Sequence, residues 1–342
     1  MVTIKDVARD AGVSVGTVSN VLNGGRVSEA RRKLVEASIE KLGYQVNTLA
    51  KGMRMQKTDY VVVILPNLIN PYFALLLDAL ESELSAVGKQ VLLCLSGDDA
   101  EREVAFMDMA KQNKVDGIIG VTYSKVEEER IENMAFVSID RHYKSHIPCV
   151  AGDNWQGGWL AAENLHKRGS TNLLCFMTMS SVDSEVRKRR VGFTEYCMEH
   201  DLSCNSVEMS EKQIVSVYES YGSRKLIHNM LRAYISPSLG EHSIDGIFTS
   251  SDHLATIVRE ELEEMGKQVP EDIQIIGYDG LQFLNQGKPI VSSIAQPVHE
   301  IAKQAVKSLT DMIENGKAED VTNIPVMFHE GPTTKPLETI SE

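Results

Sequence analysis

The sequence predicts an α/β protein with two lobes of parallel sheet, preceded by a small all-α segment. Between about 58 and 342, short apolar runs alternate with amphipathic helical stretches such as Phe73–Ala86 and Asp252–Met265. Because the runs are apolar on both faces, they predict parallel sheets flanked by helices on both sides. This part of the chain is long enough for two domains of ordinary size.

The predicted strands recur along this second part with helices between them. They are Tyr60–Leu65, Gln90–Leu95, Gly117–Val121, Phe136–Ile139, Cys149–Gly152, Asn172–Phe176, Ser206–Met209, Gly246–Thr249, Ile273–Gly277 and Asn323–Val326. Sheets of this type bind ligands beyond the carboxyl ends of their strands. We therefore expect ligand-binding residues directly after the strands.

Two short helices around a tight turn are predicted within the first 22 residues. Thr3 is a suitable N-cap and Asp6 follows three residues later, as in a capping box. Gly12 can adopt the left-handed conformation that ends a helix, and Ser14 is a second N-cap. The pattern predicts a helical hairpin whose second helix starts after Ser14.

The second helix leaves small side chains outward near its start. Val18, Val21 and Leu22 face inward, so the outward face consists of Val15, Gly16, Thr17, Ser19 and Asn20. A helix that enters the DNA major groove contacts base edges with such residues near its N-terminus. The alternative is an ordinary helical hairpin with solvated polar residues.

Charge favours the DNA-binding interpretation. Residues 1–57 contain ten Lys and Arg and five Asp and Glu, a net charge of +5. The whole chain carries −13, which leaves −18 for residues 58–342. A basic first segment on an acidic remainder is expected if only the first segment meets phosphates.

A third helix and a marginal segment follow. Ser28 is a suitable N-cap for the helix and Gly43 can end it. The stretch Asn47–Met55 is too short to be a stable helix alone, and Gly52 weakens it further. It is either a plain linker or a segment that orders on DNA, with an apolar residue wedged into the minor groove.

The first 57 residues resemble the lactose/galactose repressor (LacI–GalR) family of bacterial transcription regulators, and the resemblance continues over nearly the whole chain. The matching stretches are Thr3–Ala8, Ala11–Ser14, Thr17–Asn23, Leu42–Tyr44 and Asn47–Arg54. In this family a leucine of the hinge helix inserts at the centre of a palindromic operator; here Met53 stands at that position, Gly52 replaces a common serine and Val46 a common proline. The resemblance implies DNA contacts by Thr3, Ser14, Val15, Gly16, Thr17, Ser19, Asn20, Asn23, Ala50, Lys51 and Met53.

The resemblance also implies the domain organisation. A helix-turn-helix headpiece spans 1–46, a hinge helix or linker 47–57, and an effector-binding core 58–342. The core is similar to the periplasmic-binding-protein fold, in which two lobes close on a small molecule. The N-lobe is expected at about 58–157 and 290–317 and the C-lobe at about 158–289 and 318–335, with crossings near Gly157, Pro289 and Asn315–Asp320.

Candidate effector-binding residues follow several predicted strands. Tyr72 and Phe73 can stack on a flat or sugar-ring ligand or pack in the core, and Arg suits a carboxylate, a phosphate or a pair of hydroxyls. The spacing Arg-x-x-Gly-Phe resembles the family's effector clamp and selects Arg189. The expected effector-binding set is Asn70, Tyr72, Phe73, Asp153, Arg189, Ser251, Asp279 and Gln296. Gln296 can instead serve only the hinge between lobes, and Asp252 is expected to cap a helix.

Other classes of protein are disfavoured by the sequence. No apolar run approaches the roughly 20 residues that span a bilayer, and no signal peptide is recognised, so a cytoplasmic protein without membrane contact is expected. The five cysteines have no metal-type pairing and predict reduced thiols, and the loop around His142 and His146 disfavours a metal site. No catalytic motif or cofactor-binding loop is found, so neither enzymatic activity nor a cofactor is expected.

The sequence therefore predicts a homodimeric DNA-binding repressor controlled by a small molecule, a sugar or sugar derivative such as a sugar phosphate. One alternative is a catabolite-control regulator that responds to a phosphorylated carrier protein, and a weaker one is purine control. An exported sugar-binding transport protein and a sugar-metabolising enzyme are rivals from other classes. The basic headpiece disfavours the first, and the lack of a nucleophile–base pair disfavours the second.

The outward face of the second helix makes a testable prediction. Replacing Thr17 or Asn20 with Ala should weaken binding to the operator by about 1–3 kcal/mol and binding to random DNA very little, because base contacts carry sequence discrimination. Titrations by fluorescence anisotropy on both DNAs measure the difference. Equal losses on the two DNAs would show that these residues do not read bases.

Overall fold

The computed structural model describes residues 2–22, 24–44, 58–97, 99–122, 131, 134–143, 147–179, 182–210, 224–235, 243–282 and 287–337. The chain divides into two compact units, Met1–Thr58 and Asp59–Glu342. None of the described helices is long and apolar enough to cross a membrane.

The first unit contains the three predicted helices, α1 (Ile4–Asp10), α2 (Val15–Leu22) and α3 (Glu29–Leu42). The predicted capping box is confirmed, with the Thr3 backbone N–H donating to Oδ2 of Asp6 at 3.0 Å. Gly12 and Gly43 both have positive φ, as expected for residues that end helices. Apolar residues of the three helices, including Val7, Val18, Val21 and Val35, form one small core.

The second unit contains two six-stranded sheets. The N-lobe sheet consists of β1 (Tyr60–Leu65), β2 (Gln90–Leu95), β3 (Gly117–Gly120), β4 (Phe136–Ile139), β5 (Cys149–Gly152) and β11 (Val321–Ile324). Its order is β11-β5-β4-β3-β1-β2, and the pairings are parallel. Within the described part of the chain, it is flanked by α4 (Pro71–Ala86), α5 (Ala100–Gln112) and α10 (Val298–Asn315).

The C-lobe repeats this arrangement. Its strands are β6 (Asn172–Met179), β7 (Ser203–Ser210), β8 (Gly246–Thr249), β9 (Gln274–Asp279), β10 (Ser292–Ala295) and β12 (Met327–His329), and its helices are α6 (Asn154–Lys167), α7 (Arg187–Glu199), α8 (Arg224–Ile235) and α9 (Asp252–Glu264). The order is β12-β10-β9-β8-β6-β7, and β12 pairs antiparallel with β10. The predicted parallel sheets flanked by helices are thus confirmed, with one antiparallel edge strand in addition.

Apolar side chains on both faces of the central strands drive the packing. In the N-lobe, Val61 and Val63 face one cluster shared with α4 and α10, whereas Val62 and Ile64 face the cluster shared with α5. All four side chains are fully buried. Burying each contributes about 1.5–3 kcal/mol relative to exposure, which explains why the strand is apolar without alternation.

The crossings between the lobes differ from those predicted. The strand Ser292–Ala295 pairs with β9 in the C-lobe sheet, so the crossing expected near Pro289 lies at Gln296–Pro297. Likewise Val321–Ile324 pairs with β5, so the crossing expected at Asn315–Asp320 comes after Ile324. The boundaries predicted at 290 and 318 therefore assigned both strands to the wrong lobe. For Ser292–Ala295 the reason is that its polar sequence concealed a buried strand.

Helices α6 and α7 pack so closely that their backbones are in contact at two glycines. A Cβ placed on Gly158 would lie 1.8 Å from the carbonyl oxygen of Arg189, and one on Gly192 would lie 2.0 Å from that of Trp155. Real Cβ atoms do not approach other atoms so closely, so only glycine fits at either position. The contact holds the first turns of the two helices together.

Gly192→Ala should therefore destabilise the protein by about 1–3 kcal/mol or more, since added atoms in a packed contact force the backbone apart. Helix propensity alone would make the Ala variant more stable by up to about 1 kcal/mol, so the sign of the change in unfolding free energy distinguishes the two effects. The control is Val191→Ala, because Val191 is exposed on the same helix. Urea unfolding in which Gly192→Ala is as stable as the control would contradict the prediction.

Candidate functional site

The polar residues predicted to bind an effector lie where strands of both sheets end. In the N-lobe, Asn70 caps α4 after β1, and Asp153 caps α6 after β5. In the C-lobe, Ser251 caps α9 after β8, Asp279 is the last residue of β9, and Gln296 follows β10. The carboxyl ends of parallel strands are the usual place for ligands.

A hydrogen-bonded series of buried side chains connects the two lobes. Gln296 Nε2 donates to Oδ1 of Asp279 at 2.8 Å, and Tyr72 Oη donates to Oε1 of Gln296 at 3.4 Å. Tyr72 belongs to the N-lobe and Asp279 to the C-lobe, whereas Gln296 lies at the crossing between them. The second carboxylate oxygen of Asp279, Oδ2, is buried and has no hydrogen-bond partner among the described residues.

Asp279 is in an unusual state. Its φ is 119°, a region that residues other than glycine rarely adopt. Burial raises its pKa to about 7, although the charge of Arg189 and hydrogen bonds with the side chains of Gln296 and Asn70 act in the opposite direction. Strain and a shifted pKa at one buried carboxyl are typical of functional sites.

Arg189 is the most constrained residue of the site. Its side chain is buried, its Nε donates to Oδ1 of Asn154 at 2.7 Å, and its Nη1 donates to the carbonyl oxygen of Ser250 at 2.8 Å. The guanidinium carbon lies 3.5 Å from the centroid of the Tyr278 ring, a cation–π contact. The Arg-x-x-Gly-Phe spacing thus selected a residue whose charge acts on Asp279. Two of its nitrogens, Nε and Nη1, are already hydrogen-bonded to other groups of the protein.

Two residues that the sequence analysis missed complete this cluster. Asn154 Nδ2 donates to Oδ1 of Asp140 at 3.2 Å, so Asn154 bridges Asp140 of the N-lobe and Arg189 of the C-lobe. Burial raises the pKa of Asp140, against the lowering effects of the Arg189 charge and of the Asn154 hydrogen bond. Asp140 directly follows β4, so applying the carboxyl-end rule to every strand would have found it.

The two residues that follow β5, Asp153 and Asn154, have different roles: the first caps a helix and the second bridges two side chains. Asp153 Oδ1 accepts a hydrogen bond from the backbone N–H of Gln156 at 2.8 Å, which makes it the N-cap of α6. The neighbouring Asn154, rather than Asp153, contacts Arg189. An effector contact by Asp153 stays a prediction.

Capping of α9 also differs from expectation. Ser251 Oγ accepts from the backbone N–H of Leu254 at 3.1 Å and is the N-cap. The expected cap, Asp252, instead accepts from the backbone N–H of Leu281 at 2.7 Å through its Oδ2. Burial first, and then the nearby charge of Asp279, raises the pKa of Asp252 well above its ordinary value.

The two aromatic candidates occupy different environments. Tyr72 and Phe73 are both buried and contact each other edge to face, with ring centroids 5.6 Å apart. Both pack in the N-lobe core, but only the Tyr72 hydroxyl reaches the polar cluster, through Gln296. Stacking of either ring on a ligand stays a prediction.

A second contact between the lobes lies at His142. Its Nε2 is 3.1 Å from Oε1 of Glu185, and the Glu185 backbone N–H donates to the carbonyl oxygen of Asp140 at 2.9 Å. His146, considered with His142 as a metal ligand, lies outside the described residues. Among those that are described, no group of three or more His, Cys, Asp or Glu could hold a metal ion.

The headpiece presents the predicted outward face. Ser14, Gly16 and Asn20 are exposed, Val15, Thr17 and Ser19 are partly exposed, and the intervening Val18 and Val21 are buried. Ser14 Oγ accepts from the Thr17 backbone N–H at 3.1 Å, so the predicted N-cap of α2 is confirmed. Asn23, Ala50, Lys51 and Met53 lie outside the described residues, as does the hinge segment 47–57.

Comparison with known proteins identifies both parts of the chain. The model of the bacterial regulatory proteins, lacI family, matches residues 3–47, and that of the periplasmic binding protein-like domain matches residues 162–334. The chain is 32% identical over 334 residues to the sucrose operon repressor of Pediococcus pentosaceus, covering 96% of this chain and 98% of that protein. The protein belongs to the LacI family.

Further similarities agree with this assignment. The ribose operon repressor of Halalkalibacterium halodurans is 31% identical over 316 residues, covering 92% of this chain and 91% of that protein. The structure of a lac repressor dimer bound to operator and an anti-inducer is similar in fold, with a TM-score of 0.79 at 21% identity, covering 98% of this chain and 99% of that one. This LacI-family protein is a DNA-binding transcriptional repressor with an effector-binding core.

Asp279 predicts a pH dependence of stability. Its folded pKa of about 7 exceeds the ordinary 3.8, so its contribution to stability is complete below 3.8 and is lost as the pH rises to about 7. Because one pKa unit corresponds to about 1.4 kcal/mol, the loss is at most about 4 kcal/mol. Unfolding free energies at pH 5 and pH 8 should show a larger decrease in the wild type than in Asp279→Asn. The same decrease in both proteins would contradict the assignment.

Proposed function

We propose that the effector is a sugar or sugar derivative bound between the two lobes, and that it controls the affinity of a homodimer for a palindromic operator. The observation that carries the proposal is the buried polar cluster at the carboxyl ends of both sheets, formed by Tyr72, Asp140, Asn154, Arg189, Asp279 and Gln296. Its members come from both lobes, so a ligand that contacts them contacts both lobes.

The chemistry of the cluster suits hydroxyl groups. A carboxyl whose pKa is about 7 can donate or accept a hydrogen bond near neutral pH, and Oδ2 of Asp279 is buried without a partner among the described residues. Sugar hydroxyls both donate and accept, so they can pair with such a group, whereas an apolar ligand would leave it desolvated and unpaired. The Arg189 guanidinium beside it is held over the face of the buried Tyr278 ring.

The names of the relatives support the same class of effector. Two of them are named as repressors of a sucrose operon and a ribose operon. A phosphorylated carrier protein as co-regulator stays an alternative that no described contact supports.

Control requires that effector and operator favour different arrangements of the lobes. Gln296 lies at a crossing and binds both Tyr72 and Asp279, so a ligand that changes these contacts changes the angle between the lobes at that point. We propose that this motion reaches the hinge segments of the dimer.

We also propose that the protein acts in the cytoplasm, without membrane contact and without enzymatic activity.

A ligand screen tests the proposal directly. Binding to the native state alone raises the melting temperature, so thermal shifts of the whole protein with free sugars, sugar phosphates and purine bases should identify the effector class. A shift with sugars or their derivatives supports the proposal, whereas a shift with purine bases alone would replace it.

Arg189→Ala should abolish the response to the effector found in this screen. Truncation removes the hydrogen bonds that Arg189 donates to Asn154 and to the Ser250 carbonyl, and leaving such buried groups unpaired costs about 1–3 kcal/mol or more. Operator binding without effector should stay nearly intact. The matched control is Arg190→Ala, because the next side chain is partly exposed and pairs with Glu208 at the surface. Calorimetry showing wild-type affinity in Arg189→Ala would exclude this residue as an effector contact.

The protein should be a dimer in solution. A palindromic operator requires two headpieces related by a two-fold axis. Sedimentation velocity at micromolar concentration measures the state, and a stable monomer or tetramer would contradict the prediction.

A further inference from the structure

The side chain of His142 connects the two lobes next to the effector cluster. His142 comes two residues after Asp140 at the end of β4, in the N-lobe, and 44% of its side chain is exposed. Its Nε2 lies 3.1 Å from Oε1 of Glu185, which precedes α7 in the C-lobe. Only 4% of the Glu185 side chain is exposed. The contact thus joins a histidine that exchanges protons with solvent to a carboxylate held inside the protein.

A main-chain hydrogen bond crosses between the lobes at the same place. The Glu185 backbone N–H donates to the carbonyl oxygen of Asp140 at 2.9 Å. The Asp140 side chain accepts from Asn154, which also binds Arg189. Separation of His142 from Glu185 therefore acts directly on Asp140, a member of the effector cluster.

The charged groups nearest to His142 are carboxylates from both lobes. On the N-lobe side, Oδ2 of Asp320, just before β11, lies 3.8 Å from Nδ1 of His142. On the C-lobe side, Lys188 of α7 lies 2.7 Å from the second carboxylate oxygen of Glu185. Burial first, and also the charge of Glu185, raises the pKa of Asp140. A positive charge on His142 therefore faces one carboxylate of its own lobe and one of the other lobe.

The other groups next to His142 keep one charge state near neutral pH. The Arg141 guanidinium is always charged, and it is held within the N-lobe by a 3.3 Å hydrogen bond to Oγ1 of Thr122 and by the Tyr143 ring, whose centroid is 4.3 Å away. Burial raises the pKa of the Cys149 thiol, which stays protonated. Histidine, in contrast, is the residue type whose charge changes between about pH 5 and pH 8.

Protonation changes the strength of the contact between the lobes. A neutral imidazole has one N–H donor and no charge, whereas an imidazolium donates from both nitrogens and carries a positive charge. The carboxylate of Glu185 is shielded from water, so the attraction between the two charges is stronger there than at an exposed surface. The contact is therefore strongest at the acid end of the histidine range and weakens as the pH rises.

We propose that His142 and Glu185 form a proton-dependent latch between the lobes. With His142 protonated, the latch holds the lobes in the arrangement of the structure, in which Asp140, Asn154 and Arg189 lie together. Loss of the proton weakens the latch, and the lobes separate more often. A ligand that binds between the lobes in this arrangement would bind more tightly at lower pH. That consequence rests on the proposed function, whereas the latch itself does not.

The Glu185 backbone N–H is an internal reporter of the latch. It exchanges its hydrogen with solvent when its bond to Asp140 opens, so its protection factor measures the opening equilibrium. Hydrogen exchange of the full-length protein, without effector or operator, is followed at about pH 6 and about pH 8. Mass spectrometry with residue-level fragmentation gives the rates, which are corrected for the intrinsic effect of pH. The control is the Asp140 backbone N–H, which donates to the Val150 carbonyl within the N-lobe.

In the wild type, protection of the Glu185 N–H should be about fivefold higher or more at the lower pH, whereas the control amide should not change. His142→Gln should lower the protection at the lower pH to the value found at the higher pH. His142→Lys keeps a positive charge at both pH values, so protection should stay high at both. The matched control is Lys188→Gln, which removes a positive charge from the same carboxylate within the C-lobe and should preserve the pH difference.

Three results would overturn the proposal. The first is equal protection of the Glu185 N–H at both pH values in the wild type. The second is wild-type protection in His142→Gln at the lower pH. The third is a loss of the pH difference in Lys188→Gln as large as in His142→Gln, because the contact between lobes would then not be its cause. Since no effector is present, a latch that behaves as expected stands even if the ligand screen finds no sugar.

Discussion

The close contact of α6 and α7 is the constraint on which the proposed effector site depends. Gly158 and Gly192 allow the two backbones to meet, and this fixes the first turns that carry Asn154 and Arg189. Side chains of any size at these glycines would separate the helices and break the short hydrogen bond between the two residues. A backbone contact thus positions the charged group of the site, because long side chains such as Arg need rigid support to be held at one place.

Buried carboxyl groups explain how a ligand can influence both lobes. Asp140, Asp252 and Asp279 are desolvated, and burial raises the pKa of each one. Such groups are costly unless they are paired, so a ligand that supplies hydrogen bonds stabilises the arrangement in which it reaches all of them. Since Asp140 belongs to one lobe and Asp279 to the other, the ligand binding that we propose is coupled to the separation of the two lobes.

Prediction from sequence succeeded where local pattern and packing agree, and failed where polar residues are buried. The strands Tyr60–Leu65 and Gly246–Thr249 were predicted with the bounds that the structure shows, because apolar runs between turns have few other interpretations. The strand Ser292–Ala295 was missed because its two serines read as a loop. In the fold, Ser293 Oγ accepts from the Gly280 backbone N–H at 3.0 Å and Ser292 Oγ donates to the Gly331 carbonyl oxygen at 3.0 Å. Missing this strand displaced the predicted crossing.

The sequence by itself determined the headpiece, the α/β class of the core and most of the strand ends at which polar residues gather, since caps, periodicity and charge are local properties of the chain. It also selected Arg189 through a family spacing. Only the tertiary structure decided that Asn154 rather than Asp153 contacts Arg189, that Asp140 joins the cluster and that Phe73 packs in the core. These outcomes depend on which side chains meet across two lobes. Such long-range contacts are set by the packing of whole sheets and helices, which no local pattern encodes.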